Sequence, residues 1–218
     1  MEGYKEIKKL SQNNEVYLAR DEERGTLCVL RKLSVADENT LDIYRLLKRN
    51  NVCGVPEIYD IVCNEDENIV VEEYIEGVSL LSYISKVGVI PDVEIVEIAT
   101  SICDILTKIH GIDPPVIHRD IKSGNVMLSN NGEVFLIDFN AGRLKGDDDI
   151  NRETDTELMG TPIYAAPEQF GFGTSSPATD YYGLGMLINT MATGEVTRKV
   201  IKNSPFTVII SKCTDRKS

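Results

Sequence analysis

The sequence predicts an α+β chain folded as two unequal lobes with a cleft between them. Two observations carry that prediction. Short apolar runs separated by charged turns dominate the first ninety residues, as expected of strands. Helical periodicity dominates after Gly77. Strands first and helices later is the pattern of segregated α+β architectures. With 218 residues, 42% of them hydrophobic, the chain can bury a real core, as one domain or as two small lobes sharing one.

The elements follow in order. Glu15 to Arg20 and Thr26 to Leu33 are apolar-rich and flank the charged turn Asp21-Glu22-Glu23-Arg24-Gly25, a hairpin pattern. Asp37 to Asn50 places Leu41, Tyr44, Leu46 and Leu47 near helical spacing, which predicts a helix. Strands over Ile58 to Cys63 and Asn68 to Tyr74 are joined by the polar turn Asn64-Glu65-Asp66-Glu67. The crossover between lobes falls at Tyr74 to Leu80. Pro91-Asp92 then opens the clearest helix, with Ile95, Ile98, Ala99, Ile102, Leu106 and Ile109 on one face, Asp92 as N-cap and Gly111 as its end. Val126 to Leu128 and Val134 to Ile137 flank Asn130-Asn131-Gly132, a hairpin with favoured turn chemistry. Gly142 to Ser176 is polar and over thirty residues long, and a loop of that length in a compact domain is usually functional. Tyr181 to Thr193 reads as an apolar, buried helix.

Charge and cysteines narrow the function classes. Lys+Arg 23 against Asp+Glu 35 leaves a net charge of −12. That argues against a nucleic-acid binder, which needs a cationic face for phosphates, and suits a cationic partner, a metal ion or a basic substrate. Cys28, Cys53, Cys63, Cys103 and Cys213 are odd in number, widely spaced and without a Cys-x-x-Cys pair. Neither a zinc ribbon nor a disulfide framework fits, and buried thiols in a reducing cytosol do. The first ten residues are polar and of mixed charge, unlike a signal peptide. No apolar run reaches ~18 residues, the length that a membrane span needs. The expectation is a cytoplasmic protein.

The stretch that carries chemistry is His118-Arg119-Asp120-Ile121-Lys122-Ser123-Gly124-Asn125. It is followed by Asp138-Phe139-Asn140, by Gly160-Thr161-Pro162-Ile163-Tyr164-Ala165-Ala166-Pro167-Glu168, and by Asp180-Tyr181-Tyr182-Gly183-Leu184-Gly185. In order and spacing these resemble the catalytic loop, metal motif, substrate loop and following buried helix of the protein kinases, specifically the eukaryotic-like (Hanks-type) serine/threonine kinases of compact bacterial type. The resemblance runs from about residue 4 to about residue 195. It implies a β-rich N-lobe over 1–73, a hinge over 74–80 and a helical C-lobe over 81–218.

The resemblance also implies roles. Asp120 orients the substrate hydroxyl or accepts its proton, Lys122 contacts the moving phosphate, and Asn125 and Asp138 hold Mg²⁺. Amide and carboxylate oxygens are hard donors that suit Mg²⁺ and suit neither zinc nor copper. Asp138 ends the apolar run Val134-Phe135-Leu136-Ile137, where a carboxylate is more often functional than decorative. Val16 covers ATP, and backbone groups around Glu73 and Ile75 receive adenine. Lys122 and Thr161 point to serine/threonine substrates, and the acidic surface to a basic one. His118 packs under the metal motif, and His110 caps helix carbonyls. With two histidines and no nucleophile context, a hydrolase triad has little support. Arg119 pairs with a phosphate or carboxylate of the activation segment, where Thr154 and Thr156 are candidate autophosphorylation sites and Glu157 a standing charge. Glu168 and Asp180 have packing roles.

The pattern breaks in four places. The phosphate-loop glycine slots fall on Lys9, Ser11 and Asn14. The lysine that holds the α- and β-phosphates falls on Arg31 when counted without gaps from Val16, with Lys32 beside it. Neighbouring strand residues face opposite ways, so only one of the two reaches the cleft. The helix acid that should pair with that cation falls near Ile43, with Glu38 and Asp42 nearest. Only thirty-eight residues follow Asp180. Val208 to Thr214 resembles a later helix, as if those between were shortened, and Arg216 is the candidate partner of Glu168. Glu72, just before the hinge, is an unusual carboxylate that would narrow or charge the adenine pocket. The leading reading is an active serine/threonine kinase. A pseudokinase that binds nucleotide or acts as a scaffold stands against it, and a small-molecule kinase of similar fold is third.

Overall fold

The structure, a computed structural model, describes residues 3–12, 14–145, 162–170 and 174–215. Its first part is a five-stranded antiparallel sheet with one helix. β1 (Tyr4–Lys9), β2 (Val16–Asp21) and β3 (Leu27–Ser34) precede helix α1 (Glu38–Asn50), and β4 (Ile58–Cys63) and β5 (Glu67–Glu73) follow it. The order across the sheet is β1-β2-β3-β5-β4. The expected hairpin is β2–β3, in register with Val16 opposite Arg31. β1 gives no strand signal in the sequence because it is a Lys-rich edge, exposed along most of its length. Pairing with β2 holds it, and edge lysines discourage further pairing.

The second part begins where the chain leaves β5. β6 (Gly77–Ser79) leads into α2 (Leu80–Val87), and α3 (Asp92–His110), β7 (Val116–Ile117), β8 (Val126–Ser129), β9 (Val134–Leu136) and β10 (Arg143–Leu144) follow. Helices α4 (Pro177–Thr193) and α5 (Thr207–Thr214) complete it. β6, β8 and β9 form one small sheet, and β7 pairs with β10. Gly77 is fixed by sterics, since a Cβ there would lie 2.0 Å from the Leu128 carbonyl oxygen. α2 begins at the last residue of the expected crossover and, at eight residues, is too short to show a clear helical period. The Ser79 hydroxyl starts it by accepting the Ser82 amide at 3.2 Å.

α3 buries Ile95, Ile98, Ile102, Ile105, Leu106 and Ile109, the apolar face that its periodicity predicts. Its N-cap is Pro91 rather than Asp92, with no side-chain cap bond. Asp92 and Glu94 instead sit in the first turn, where they complement the helix dipole. α4 starts four residues before the apolar run. Ser176 and Thr179 form a reciprocal capping box around Pro177, a polar start that hydrophobic patterning overlooks. Nearly every side of α4 is buried, so it is the pillar on which the second part packs.

One hydrophobic core runs from Leu33, Ile43, Tyr44 and Val70 through α3 and α4 to Phe206 and Ile210. A second, smaller cluster of Ala19, Cys28, Leu30, Ile69 and Val71 lies on the other face of the five-stranded sheet. All five cysteines are free. Cys28 is buried as expected, but Cys53 and Cys63 are exposed. Among the described residues no helix is long and apolar enough to cross a membrane.

Candidate active site

A cavity of about 590 Å³ opens between the five-stranded sheet and the second part. Its lining includes Val16, Arg31, Glu72, Asn125 and Asp138. Glu73 and Ile75, the expected base-binding pair, line it too. Glu73 donates its amide to Glu57 O at 2.8 Å, while the Ile75 amide enters no backbone hydrogen bond among the described residues.

The loop after β7 is held from below by Asp180 of α4. Asp180 is fully buried and accepts three hydrogen bonds: from the amides of His118 (2.9 Å) and Arg119 (2.7 Å), and from His110 Nε2 at 2.8 Å. His110 therefore pays its polar bond to Asp180 and not to helix carbonyls. His118 packs against the Phe139 ring at 4.6 Å. Its Nε2 meets Ile137 O at 3.1 Å, and its Nδ1 accepts the Asp120 amide at 3.2 Å, the packing role expected of it. Arg119 adopts φ 65 and Asp138 φ 68. Such left-handed backbone is uncommon for residues other than glycine and clusters at functional sites.

The chemistry-bearing side chains converge on this loop. Lys122 Nζ donates to Asp120 Oδ2 at 2.5 Å. Asn125 Nδ2 donates to Asp120 Oδ2 and to Asp120 O, each at 2.9 Å. Asn125 thus spends its amide nitrogen on Asp120 and keeps its oxygen for another partner. Asp138 lines the same cavity as Asn125 and accepts from Arg31 Nη1 at 3.0 Å. Among the described residues no three His, Cys, Asp or Glu side chains form a self-sufficient metal cage. The donors that face the cavity, one amide and one carboxylate, fit a divalent ion that takes its remaining oxygens from phosphates and water.

The Arg31 and Lys32 alternatives separate cleanly. Lys32 lies on the opposite face of β3, where its ammonium pairs with Glu6 at 2.8 Å, so the expected nucleotide contact does not include it. Arg31 is buried in the cavity wall. Its Nε donates to Glu72 Oε1 at 2.7 Å, and its guanidinium sits 5.7 Å from the Tyr44 ring centroid. Burial pulls the Arg31 pKa down, but Glu72, Tyr44 and Asp138 outweigh it and hold the guanidinium charged. Burial raises the Glu72 carboxyl above the usual range, and Arg31 opposes that shift. Burial pushes the Tyr44 phenol well up, so it stays neutral.

Helix α1 supplies no acid to Arg31. Ile43 is buried apolar, and Asp42 pairs with Arg45 at the surface. The helix instead grips the 138–142 segment: the Phe139 amide donates to Tyr44 Oη at 3.4 Å, and Asn39 Nδ2 donates to Gly142 O at 3.0 Å. At the phosphate-loop position the Ser11 hydroxyl accepts the Asn14 amide at 3.1 Å, closing a turn without the glycines. Lys9, at the first glycine slot, pairs with Glu15 on the exposed side.

Gln169 is a supporting residue that the sequence did not signal. Buried, it donates from Nε2 to Arg119 O at 2.7 Å and accepts the Ala166 amide at 2.9 Å, tying the 162–170 segment to the loop after β7. Glu168 accepts from Thr179 Oγ1 at 2.6 Å. Arg216, its expected partner, lies outside the described residues, as do Thr154, Thr156, Glu157 and Thr161.

Comparison with known proteins agrees with this geometry. The chain is 30% identical over 193 residues to the serine/threonine-protein kinase PknB of Mycolicibacterium smegmatis, covering 84% of this chain and 31% of that protein. It is 31% identical over 157 residues to the serine/threonine-protein kinase pkpA of Phycomyces blakesleeanus, covering 71% and 24%. It is 28% identical over 143 residues to the serine/threonine-protein kinase PrkC of Bacillus subtilis, covering 66% and 22%. The chain spans between about a fifth and a third of the length of these curated relatives. The family model for the protein kinase domain matches residues 11–215. The chain belongs to the protein kinase domain family.

Proposed function

We propose that this chain is a serine/threonine protein kinase that transfers the γ-phosphoryl group of ATP to a protein hydroxyl. One observation carries the reading: Asp120, Lys122 and Asn125 form a bonded cluster whose Asn125 lines a cavity together with Asp138 and Arg31, themselves bonded to each other. Phosphoryl transfer requires an oriented hydroxyl, cations around the phosphate oxygens and little else.

Asp120 accepts the proton of the substrate hydroxyl as its oxygen bonds to the γ-phosphorus and the bond to the bridging oxygen of ADP breaks. Lys122, already beside Asp120, balances charge on the moving group. Asn125, through its uncommitted oxygen, and Asp138 would hold Mg²⁺, which when bound neutralises phosphate oxygens. Arg31 reaches the α- and β-phosphates with Nη2, which has no hydrogen bond among the described residues. Val16 covers the base, and the backbone of Glu73 and Ile75 receives it.

In this reading residues 1–73 form the nucleotide-covering lobe, 74–80 the hinge and 81–218 the substrate lobe. The net charge of −12 supports a basic protein substrate, and Thr154 or Thr156 is the proposed autophosphorylation site. Five unpaired cysteines support a reducing, cytoplasmic setting. Incubation with Mg²⁺ and γ-labelled ATP tests the activity, and Asp120→Ala should abolish label transfer. ATP binding with no transfer would mark the chain as a nucleotide-binding pseudokinase instead.

A further inference from the structure

We infer that Glu72 is the positioning residue for the phosphate-facing cation, and that its carboxylate anchor therefore comes from within the sheet and not from an acid of helix α1. The inference rests on the nucleotide-binding reading above. It begins with register. Arg31 stands opposite Val70 and Val29 opposite Glu72, so Arg31 and Glu72 are diagonal neighbours on one face of adjacent strands, within reach of long side chains. Both side chains are 5% exposed. A guanidinium fork on a carboxylate in such a site is directional as well as attractive, unlike the point charge of a lysine.

The bond to Nε matters for what it leaves free. Nε is committed to Glu72 and Nη1 to Asp138. Nη2 remains, and the two carboxylates hold the plane of the fork against the cavity that Asn125 and Gly124 line from the other side. Without Glu72, Asp138 alone would fix Arg31 through a single terminal nitrogen, about which the side chain can swing. That bond also ends on a carboxylate that metal would claim.

The rival anchors are the acids of α1. Glu38 and Asp42 are exposed, and Asp42 is occupied by Arg45 at 2.8 Å. α1 touches the 138–142 segment through Tyr44 and Asn39 but places no carboxylate on Arg31. A shift of α1 would thus disturb the Asp138 segment and the Tyr44 ring beside Arg31, and leave the bond from Arg31 to Glu72 on β5 in place.

The test compares ADP with adenosine, which lacks phosphates. Calorimetric dissociation constants would be measured with Mg²⁺ for the full chain and for Glu72→Met, Glu72→Gln, Asp42→Ala and Glu38→Ala. We expect Glu72→Met to weaken ADP by about tenfold or more and to leave adenosine within about twofold, a split that a merely structural loss would not produce. Glu72→Gln, which keeps an acceptor for Nε, should weaken ADP by a smaller factor with adenosine again unmoved. Asp42→Ala and Glu38→Ala should leave both ligands unchanged. If Glu72→Met does not fold, as loss of its cooperative thermal transition would report, Glu72→Gln decides the matter. Unchanged ADP affinity in the Glu72 variants, an equal loss of adenosine and ADP, or an equal loss in Asp42→Ala would overturn the assignment. Failure of the unsubstituted chain to bind either ligand would instead remove the nucleotide reading on which it stands.

Discussion

Arg31 of β3 and Glu72 of β5 form a buried ion pair, Nε to Oε1 at 2.7 Å, in the wall of the cavity between the five-stranded sheet and the second part. Two departures from the family pattern, an arginine for a lysine and a carboxylate before the hinge, are therefore one feature. Each charge makes the other tolerable in a site that water scarcely reaches. A buried pair of this kind adds little net stability, because desolving both ions offsets their attraction, but breaking it strands a charge.

That asymmetry gives the first prediction. Arg31→Met or Glu72→Met alone should destabilise the fold by about 3–5 kcal/mol, while the double replacement should be neutral or stabilising. Urea unfolding of the four proteins in a double-mutant cycle measures the coupling. Additive single effects would show that the two charges are independent.

Lys32 and Arg31 should separate in binding. Lys32 pairs with Glu6 on a solvent-facing edge, where an ion pair contributes under about 1 kcal/mol. Lys32→Ala should leave the ADP dissociation constant within about twofold, and Arg31→Ala should raise it by about tenfold or more. The reverse order would mean that β3 binds nucleotide in a shifted register.

Asp180 should matter far from the cavity. Asp180→Ala orphans the amides of His118 and Arg119, at about 1–3 kcal/mol for each buried donor left unsatisfied. Stability should fall by several kcal/mol, and Arg119 should lose its left-handed backbone. Denaturation midpoints together with turnover check this, and activity should fall even at temperatures where the variant remains folded.

Gly183 should tolerate no side chain. A Cβ there would lie 2.9 Å from Ile121 Cβ and 3.1 Å from Ile121 O, pressing α4 against the catalytic loop. Gly183→Ala should cost about 1–3 kcal/mol by overpacking, read as a lower melting temperature and reduced transfer. Gly25→Ala, where nothing lies within 4 Å of the added Cβ, provides a comparison in which only backbone strain at φ 72 operates.

What was legible in the sequence followed from period and punctuation. α3 was plain from its isoleucines, and the β8–β9 hairpin from Asn130-Asn131-Gly132. The Asp120, Asn125 and Asp138 set was visible because it stands in two short motifs, His118 to Asn125 and Asp138-Phe139-Asn140, whose order and spacing carry the family resemblance. β1 was hidden because an exposed edge strand has no apolar face to alternate. The start of α4 was hidden because its capping box is polar. The Glu72 partnership could not be read along the chain, since it joins residues forty-one positions apart through sheet register. Its one trace was the carboxylate of Glu72, directly after the apolar run Ile69-Val70-Val71. Gln169 left no trace, because its bonds to the Arg119 carbonyl and the Ala166 amide depend on where the backbone passes.

The most direct measurement is phosphoryl transfer itself. The purified chain with Mg²⁺, γ-labelled ATP and a basic protein substrate should place label on serine or threonine, and Asp138→Asn and Asp120→Ala should each reduce it to background while the proteins stay folded. Transfer that persists in both variants, or no transfer by a chain that binds ADP, would contradict the assignment of this cavity as a working kinase site.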